Sequence, residues 1–509
     1  MAGQLTPAMP HKVRASVETG RLVGLEYDSI ASFKAIPFAA PPVGPRRWRP
    51  PEPAAKWDGE RTADCFGPAP VQPQPPRNSI MFHTNFADRR ALVMSEDCLT
   101  VNVWTPEVSA GARLPVMVWI HGGGNRYGHG SQEIHDGAAM ARRGVVVVTL
   151  NHRLGALGFL AHPDLAAADR EEASGNYGLL DIVAALEWVQ RNIVSFGGDP
   201  AAVTVAGNSA GAAHITHLMA STHTRSLFRA AIAQSSSGVF RAEGPLKSQE
   251  AAQAEGLSYA ASFGSPSIGH LRQVSGVELA VKGHFGPVID GRLLTEPSDD
   301  AFLTGRQKTV PLLAGTVKDE GSNYTRQTDA AELRARVAAL PDGQRFEAQY
   351  PVDDANVARS ARLWVGESRF VYPVWRWAAT HRRTAGAPTW LYRFEHAPPL
   401  PADIDLAPPH DGGPGFGVYH TSELLYTSDN LKCRSWPWAE ADHQLAATMA
   451  DTWARFVTDL NPNGAGLPNW PTLDDPDGEN VMVFDFRPHV ATPERLAALH
   501  MLDELPRPL

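Results

Sequence analysis

The stretch "VTVAGNSAGAAH", residues 203–214, decides the fold class of this chain. Its first three residues are an apolar, β-branched run typical of a strand, and its last residues are mostly good helix formers. Between the two runs, Gly207 and Gly211 lack the Cβ atoms that would clash in a tight turn. The stretch therefore predicts a strand, a sharp turn and a helix, with Ser209 in the turn.

A serine in such a turn is a candidate nucleophile. Serine needs a neighbouring base and donors for an oxyanion before it can act, and the helix that follows offers a free N–H at Ala210. The pattern G-x-S-x-G is short, however, and also occurs by chance. The rest of the chain must therefore decide whether Ser209 is a nucleophile or an ordinary small residue in a turn.

The composition favours a globular protein. The chain has 509 residues, 43% of them apolar, and a formal net charge of −9, which argues against a nucleic-acid partner. Its apolar runs are too short for a signal peptide or a membrane helix, so we expect a cytoplasmic protein with no membrane partner. Both a monomer and a homodimer are compatible with the sequence.

The strand pattern is that of an α/β fold. We expect one domain over residues 1–509, with residues 1–10 poorly ordered. Short apolar strands alternating with amphipathic helices indicate a large, mostly parallel central sheet with helices on both faces. The predicted strands are Leu22–Tyr27, Leu99–Thr105, Val116–Ile120, Val145–Leu150, Thr204–Ala206, Ala230–Ala233, Leu312–Thr316, Trp390–Phe394 and Val481–Phe486.

Helical patterns lie between many of these strands. Residues 240–300 and 325–385 are predicted to be mainly helical insertions around the site, and residues 66–79 and 396–417 are proline-rich loops. The clearest helix has one apolar face with residues three or four apart: Leu179, Val183, Leu186, Val189 and Ile193.

Further candidate groups follow other predicted strands, where ligands of an α/β sheet bind. Residues 121–124, His-Gly-Gly-Gly, could turn backbone N–H groups toward a carbonyl oxygen. Either Asp319 or Glu320 could supply an acid. Three histidines could supply the base, namely His396, His410 and His420.

The chain order of these groups strengthens their joint interpretation. A serine, an acid and a histidine follow different strands at intervals of about a hundred residues. This is the order of the catalytic triad in α/β-hydrolases. A chance origin would require three independent coincidences.

Motifs along almost the whole chain resemble those of type-B carboxylesterases, and bacterial para-nitrobenzyl esterases most of all. They include "SEDCLTVNVWTP", "PVMVWIHGGG", "NHRLGALGFL", "FGGDPAAVTVAGNSAGA", "GTVKDEGSNY" and "GVYHTSELLY". The resemblance implies the α/β-hydrolase fold. It also implies a serine carboxylesterase that hydrolyses small-molecule esters through an acyl-enzyme, with no cofactor and no metal.

The resemblance assigns roles at matching positions. It makes Ser209 the nucleophile, Glu320 the acid and His420 the base, and it makes Gly123, Gly124 and Ala210 the oxyanion donors. Asn208, Ser235 and Glu423 fall at positions behind the triad. Structural ion pairs are implied for Arg47 with Glu96 and for Arg153 with Asp181.

Of the three cysteines, Cys65 and Cys98 match a pair that forms a disulfide in secreted relatives, where it would bracket residues 66–79 as a lid. The count of three, with Cys433, is too low for a disulfide scaffold and favours reduced thiols.

His214 and His217 are spaced like a pair of metal ligands. Because no third ligand is evident, we expect both side chains to make packing or polar contacts inside the protein and not to bind a metal.

Two alternatives to ester hydrolysis remain open at this point. The same triad would serve an amidase or a carbamate hydrolase. Some relatives have lost the triad and act as binding proteins, but those lack the serine or the histidine and carry a signal peptide and a membrane anchor. None of these features is seen in this sequence.

Two positions depart from the family pattern and lead to a prediction about substrates. Asn208 replaces the usual glutamate before the nucleophile, and Asn125 replaces the usual aromatic residue after the glycines. Without that carboxylate the pocket loses negative potential, so we expect weak preference for choline esters. Arg126 nearby would suit a neutral or acid-bearing acyl group, unless it points to solvent. A choline-ester to simple-ester rate ratio well above one would contradict this prediction.

Overall fold

The strand-forming runs of the sequence meet in one sheet. The structure, a computed structural model, describes residues 9–242, 244–340, 343–413, 415–473 and 480–505. The prediction for residues 1–10 falls mainly on residues outside this range, and the single domain stays a prediction. The strands of the described residues are β1 (His11–Val17), β2 (Gly20–Tyr27), β3 (Ile30–Pro37), β4 (Glu60–Thr62), β5 (Thr100–Thr105), β6 (Leu114–Ile120), β7 (Val146–Leu150), β8 (Gly198–Asn208), β9 (Ala230–Gln234), β10 (Leu312–Val317), β11 (Thr389–Phe394), β12 (Val481–Phe484) and β13 (His489–Ala491).

The sheet is mostly parallel at its centre, as predicted. Its order is β1-β2-β3-β5-β7-β6-β8-β9-β10-β11-β12-β13, with β4 beside β2. All neighbours from β7 to β12 are parallel. The flanking pairs are antiparallel, apart from β2 with β4.

All nine predicted strands are present, and four strands were missed. β4 and β13 are only three residues each, too short for a pattern. β1 and β3 are antiparallel strands that carry charged residues between apolar ones, such as Arg14 and Lys34, so no continuous apolar run marks them. The sequence therefore predicts the buried parallel strands better than the flanking ones.

Both faces of the sheet are covered, because alternate residues of a strand point to opposite faces. In β6, Val116, Val118 and Ile120 belong to one buried apolar cluster. Met117 and Trp119 belong to a second one. This two-sided burial requires helices on both faces, as the sequence predicts.

The helices lie largely where expected. The amphipathic pattern forms α4, in which Leu179, Val183, Leu186 and Val189 are buried, and Ile193 begins the short 3-10 helix that follows. Residues 325–385 are mainly helical, as predicted, whereas helices cover less than half of residues 240–300. A π-helical turn, Glu367–Val371, joins α12 to α13. The helices of the described residues are α1 (Ala138–Ala141), α2 (Gly155–Phe159), α3 (Pro163–Ala167), α4 (Tyr177–Asn192), α5 (Ala210–Ala220), α6 (Gln249–Ala261), α7 (Ile268–Leu271), α8 (Gly276–Val281), α9 (Ser298–Leu303), α10 (Gln327–Ala339), α11 (Gly343–Gln349), α12 (Val357–Gly366), α13 (Tyr372–Ala385), α14 (Leu424–Thr427), α15 (Glu440–Asp459) and α16 (Leu496–Glu504). Each of these is too short or too polar to span a bilayer.

The first proline-rich segment packs beside the glycine loop. Gln72 is buried and exchanges two hydrogen bonds with the backbone of Gly128, at 2.8 and 2.9 Å. Cys65 is exposed and Cys98 is buried, and both are free thiols, as is Cys433. The segment is therefore fastened by polar contacts and not by a disulfide.

The two predicted ion pairs are confirmed. Arg47 Nε donates to a carboxylate oxygen of Glu96 at 2.7 Å. Arg153 donates to both oxygens of Asp181, at 2.8 and 2.7 Å, and both side chains are buried. Each pair ties a loop to the body of the fold.

Removing one partner of the buried pair should destabilise the fold strongly. We expect Asp181→Ala to lower the free energy of unfolding by about 3–5 kcal/mol, because the Arg153 charge would stay buried without its partner. Chemical denaturation followed by tryptophan fluorescence measures this change. The matched control is Glu60→Ala, which removes a carboxylate from the exposed pair with Arg14 and should change the midpoint little. Equal shifts for the two variants would contradict the prediction.

Candidate active site

The predicted site residues come from neighbouring strands of the sheet. Ser209 follows β8, the glycine loop follows β6, and Glu320 follows β10. β6 and β8 are adjacent, and only β9 separates β8 from β10. Because parallel strands end at the same edge, these groups meet there.

The sequence predicts a sharp turn at Ser209, and in the structure the backbone of this turn is also strained. Ser209 has φ of +53° and ψ of −123°, a conformation that few residues other than glycine adopt. Its amide donates to the carbonyl oxygen of Gln234 at 2.8 Å, which anchors the turn to β9. A Cβ on Gly207 would lie 2.8 Å from the Ile120 carbonyl oxygen, and one on Gly211 would lie closer still. The two glycines thus let the turn press against the end of β6.

The glycine loop lies directly on the serine turn. A Cβ on Gly122 would come within 2.7 Å of the Asn208 carbonyl oxygen and 3.0 Å of Ser209 Cβ. Gly123 and Gly124 have φ of +112° and +62°, which bend the backbone around this contact. In the described part of the chain their amides donate to no protein acceptor. The Ala210 amide is in the first turn of α5, where N–H groups lack partners within the helix.

An acid and a histidine are joined at the same edge. His420 Nδ1 and Glu320 Oε2 are 2.5 Å apart, and both side chains are almost completely buried. The other oxygen of Glu320 accepts from the Val317 amide at 3.0 Å. This hydrogen bond joins the two residues that the family resemblance selects.

Asp319, the alternative acid, has a different set of contacts. Its carboxylate accepts from the Val418 amide at 2.8 Å, and its own amide donates to the Val418 carbonyl at 2.9 Å. Asp319 therefore fixes the loop that carries His420 beside the loop that carries Glu320.

The alternative histidines lie elsewhere. His396 bonds Asp442 at 2.8 Å, and His410 is exposed. By contrast, His420 lines one pocket together with Ser209. Its Nε2 is buried and, within the described residues, has no hydrogen-bond partner.

Two aromatic rings hold the His420 imidazole. The Tyr324 ring meets it edge to face, with centroids 5.2 Å apart, and the Phe370 ring lies 4.6 Å away. Sequence reasoning missed both residues. Tyr324 belongs to the quoted motif "GTVKDEGSNY", but Phe370 is in the π-helical turn and carries no local signal.

A polar network lies behind Ser209. Asn208 donates to Glu423 Oε1 at 3.2 Å, Gln234 donates to it at 3.3 Å and Ser235 at 3.4 Å. Glu423 is fully buried, and its second oxygen has no partner among the described residues. Burial first, and then the nearby Glu320 charge, raise the pKa of Glu423 to about 7. Sequence reasoning did not find Gln234 as a member of this network.

The remaining sequence candidates have structural contacts. Arg126 donates to the Val281 carbonyl at 3.3 Å and does not simply point to solvent.

The two histidines of α5 make contacts inside the protein. His217 bonds Ser298 at 2.9 Å, and His214 stacks on Phe159 with ring centroids 5.8 Å apart. The backbone carbonyl oxygen of Asn125 accepts a hydrogen bond from the amide of Gly155. The described residues contain no group of three or more ligand-type side chains placed to hold a metal ion.

The fold and its matches define the class of protein. The sheet and serine turn are those of an α/β-hydrolase, and the structure aligns with a Geobacillus stearothermophilus carboxylesterase at a TM-score of 0.80 and 29% identity, covering 96% of this chain and 99% of that one. Residues 11–500 match the sequence model of the carboxylesterase family. The chain belongs to this family and is a carboxylic ester hydrolase.

Two relatives illustrate the match. Fumonisin B1 esterase of Sphingopyxis macrogoltabida is 34% identical over 489 residues, which span 91% of this chain and 85% of the relative. Para-nitrobenzyl esterase of Bacillus subtilis strain 168 is 32% identical over 501 residues, which span 93% and 95%. The similarity therefore extends over most of the length of both relatives.

The raised pKa of Glu423 gives the stability a defined pH dependence. The carboxyl releases its proton near pH 4.5 when unfolded but near pH 7 when folded, so wild type loses stability as pH rises through this window. Glu423→Gln removes the titration and keeps a group that accepts the same hydrogen bonds. We expect the melting temperature of Glu423→Gln minus that of wild type to increase from pH 4.5 to 7.

A carboxyl with the opposite shift provides the control. Burial raises the pKa of Glu395, but hydrogen bonds and charge attraction from Lys318 and Arg393 outweigh burial and lower it. For Glu395→Gln the difference from wild type should therefore become more negative as pH rises through the acid range. A flat difference for Glu423→Gln across pH 4.5 to 7 would disprove the assignment.

Proposed function

We propose that this protein is a serine carboxylesterase in which Ser209 is the nucleophile, His420 the general base and acid, and Glu320 the residue that orients His420. One observation carries the proposal. His420 bonds Glu320 through Nδ1, its Nε2 has no hydrogen-bond partner among the described residues, and His420 and Ser209 line one pocket. A histidine that a carboxylate orients and that shares a pocket with a serine fits the arrangement that activates a hydroxyl group.

The first half of the proposed reaction is acylation. His420 Nε2 takes the Ser209 proton while Oγ attacks the carbonyl carbon of the ester. The imidazolium that forms is stabilised by Glu320 through the Nδ1 hydrogen bond. His420 then gives the proton to the alcohol oxygen, the bond to that oxygen breaks, and the acyl group remains on Oγ.

The second half is deacylation by water. His420 Nε2 takes a proton from a water molecule that attacks the acyl carbon, and returns it to Oγ as the acid leaves. No step needs a redox change or an additional group.

The proposed oxyanion donors are the amides of Gly123, Gly124 and Ala210. Support comes from the close approach of Gly122 to Ser209, where an added Cβ would lie 3.0 Å from Ser209 Cβ. It also comes from the amides of the next two glycines, which donate to no acceptor among the described residues. Backbone donors of this kind stabilise the charge on the tetrahedral carbonyl oxygen, and each is typically worth about 100- to 1,000-fold in rate.

The proposal is tested by hydrolysis of p-nitrophenyl acetate and butyrate. We expect Ser209→Ala and His420→Ala to lose about 10⁴-fold or more of the wild-type kcat, because each removes a group that acts in the transition state. Thermal unfolding verifies that the variants are folded.

The matched control is His410→Ala, which removes an exposed histidine from the same long connection. It should keep wild-type activity. A folded His420→Ala variant that remains fully active, or a Ser209→Ala variant equal to wild type, would disprove the proposed roles.

A further inference from the structure

Tyr324 is an additional group at the nucleophile. It follows the short helical turn Glu320–Asn323 and lines the same pocket as Ser209 and His420. Its ring is fixed between His420, at 5.2 Å, and Phe370, at 5.0 Å. The π-helical turn that carries Phe370 thus holds the tyrosine as well as the histidine.

The Ser209 side chain acts on the Tyr324 phenol and by itself would lower the phenol pKa. Burial, and then the Glu320 charge, raise the pKa of this phenol above its usual value, so it keeps its proton at neutral pH. A protonated phenol can donate a hydrogen bond to Oγ and cannot act as a base there. Ser209 therefore has the Tyr324 phenol as a neighbour in the pocket, in addition to the His420 imidazole.

A donor on Oγ affects the two halves of the reaction differently. In acylation Oγ is the nucleophile, and a donor withdraws electron density from it. In deacylation Oγ is the bridging oxygen of the acyl-enzyme, and a donor makes the acyl carbon more electrophilic. The same donor stabilises the negative charge that develops on Oγ as it leaves.

We propose that Tyr324 is a catalytic residue of deacylation, whose hydroxyl donates a hydrogen bond to Ser209 Oγ and promotes the release of the acyl group. The inference rests on the proposed function. Water forms the new bond to the acyl carbon and the C–Oγ bond breaks. The proton returns to Oγ from His420 Nε2, and Tyr324 keeps its own proton throughout.

The test is Tyr324→Phe, which removes one oxygen atom and keeps both ring contacts. Stopped-flow hydrolysis of p-nitrophenyl acetate separates acylation from deacylation. We expect the deacylation rate constant to fall about tenfold or more, the loss typical of a hydrogen bond to a charged group. Since kcat/KM reports acylation, kcat and KM should fall together while kcat/KM is retained.

A larger burst of p-nitrophenolate should accompany this change, and mass spectrometry of the quenched enzyme should detect an acyl group on Ser209. Tyr419→Phe is the matched control. It removes another buried hydroxyl, one that bonds Thr84 at 2.9 Å, from the residue next to His420. It should leave the ratio of the two rate constants unchanged.

The outcomes separate the two proposals. A Tyr324→Phe variant whose kcat/KM falls as much as its kcat, or one identical to wild type, would overturn the role of Tyr324. An equally large burst of p-nitrophenolate in Tyr419→Phe would also overturn this role, because a general loss of packing around His420 would then explain the result in both variants. A wild-type enzyme that turns over without an acyl group on Ser209 would instead overturn the proposed function itself.

Discussion

The close approach of the serine turn to the end of β6 sets the geometry of the whole site. β6 and β8 pair in parallel, with Ile120 opposite Gly207, so the loops that leave the two strands must run past each other. Only residues without a Cβ fit at Gly207 and Gly211, and the same limit applies to Gly122 against Ser209. The strained backbone of Ser209 is kept by this packing and by the hydrogen bond to Gln234.

A second constraint brings distant parts of the chain to this edge. The loop with His420 is held against the loop with Glu320 by the paired hydrogen bonds between Asp319 and Val418. The residue that could have been the acid therefore positions the histidine. Packing completes the arrangement, because the π-helical turn inserts Phe370 against the imidazole. Insertions of this kind in a helix are frequent at functional sites.

The space behind the nucleophile contains two buried carboxyl groups, and their mutual repulsion limits how much negative charge they carry together. Glu320 and Glu423 are both buried there, and their repulsion adds to the burial that raises the pKa of Glu423. The residue before the nucleophile is Asn208, and its side-chain amide donates to Glu423. An amide at this position satisfies a carboxylate oxygen without placing a third negative charge in the same space. The network is therefore compatible with a buried carboxyl that is partly neutral near pH 7.

The sequence by itself determined the parallel strands, the serine turn and the glycine loop, because each depends on local patterns of apolar residues and glycines. Four flanking strands, β1, β3, β4 and β13, were not predicted because they are short or lack a continuous apolar run. Residue patterns alone left Asp319 and Glu320 equivalent, and likewise the three histidines. Only the tertiary structure shows which acid bonds which histidine, and only it brings Tyr324 and Phe370 to the site. Those contacts join residues of separate segments, and no local pattern encodes how the loops between them pack.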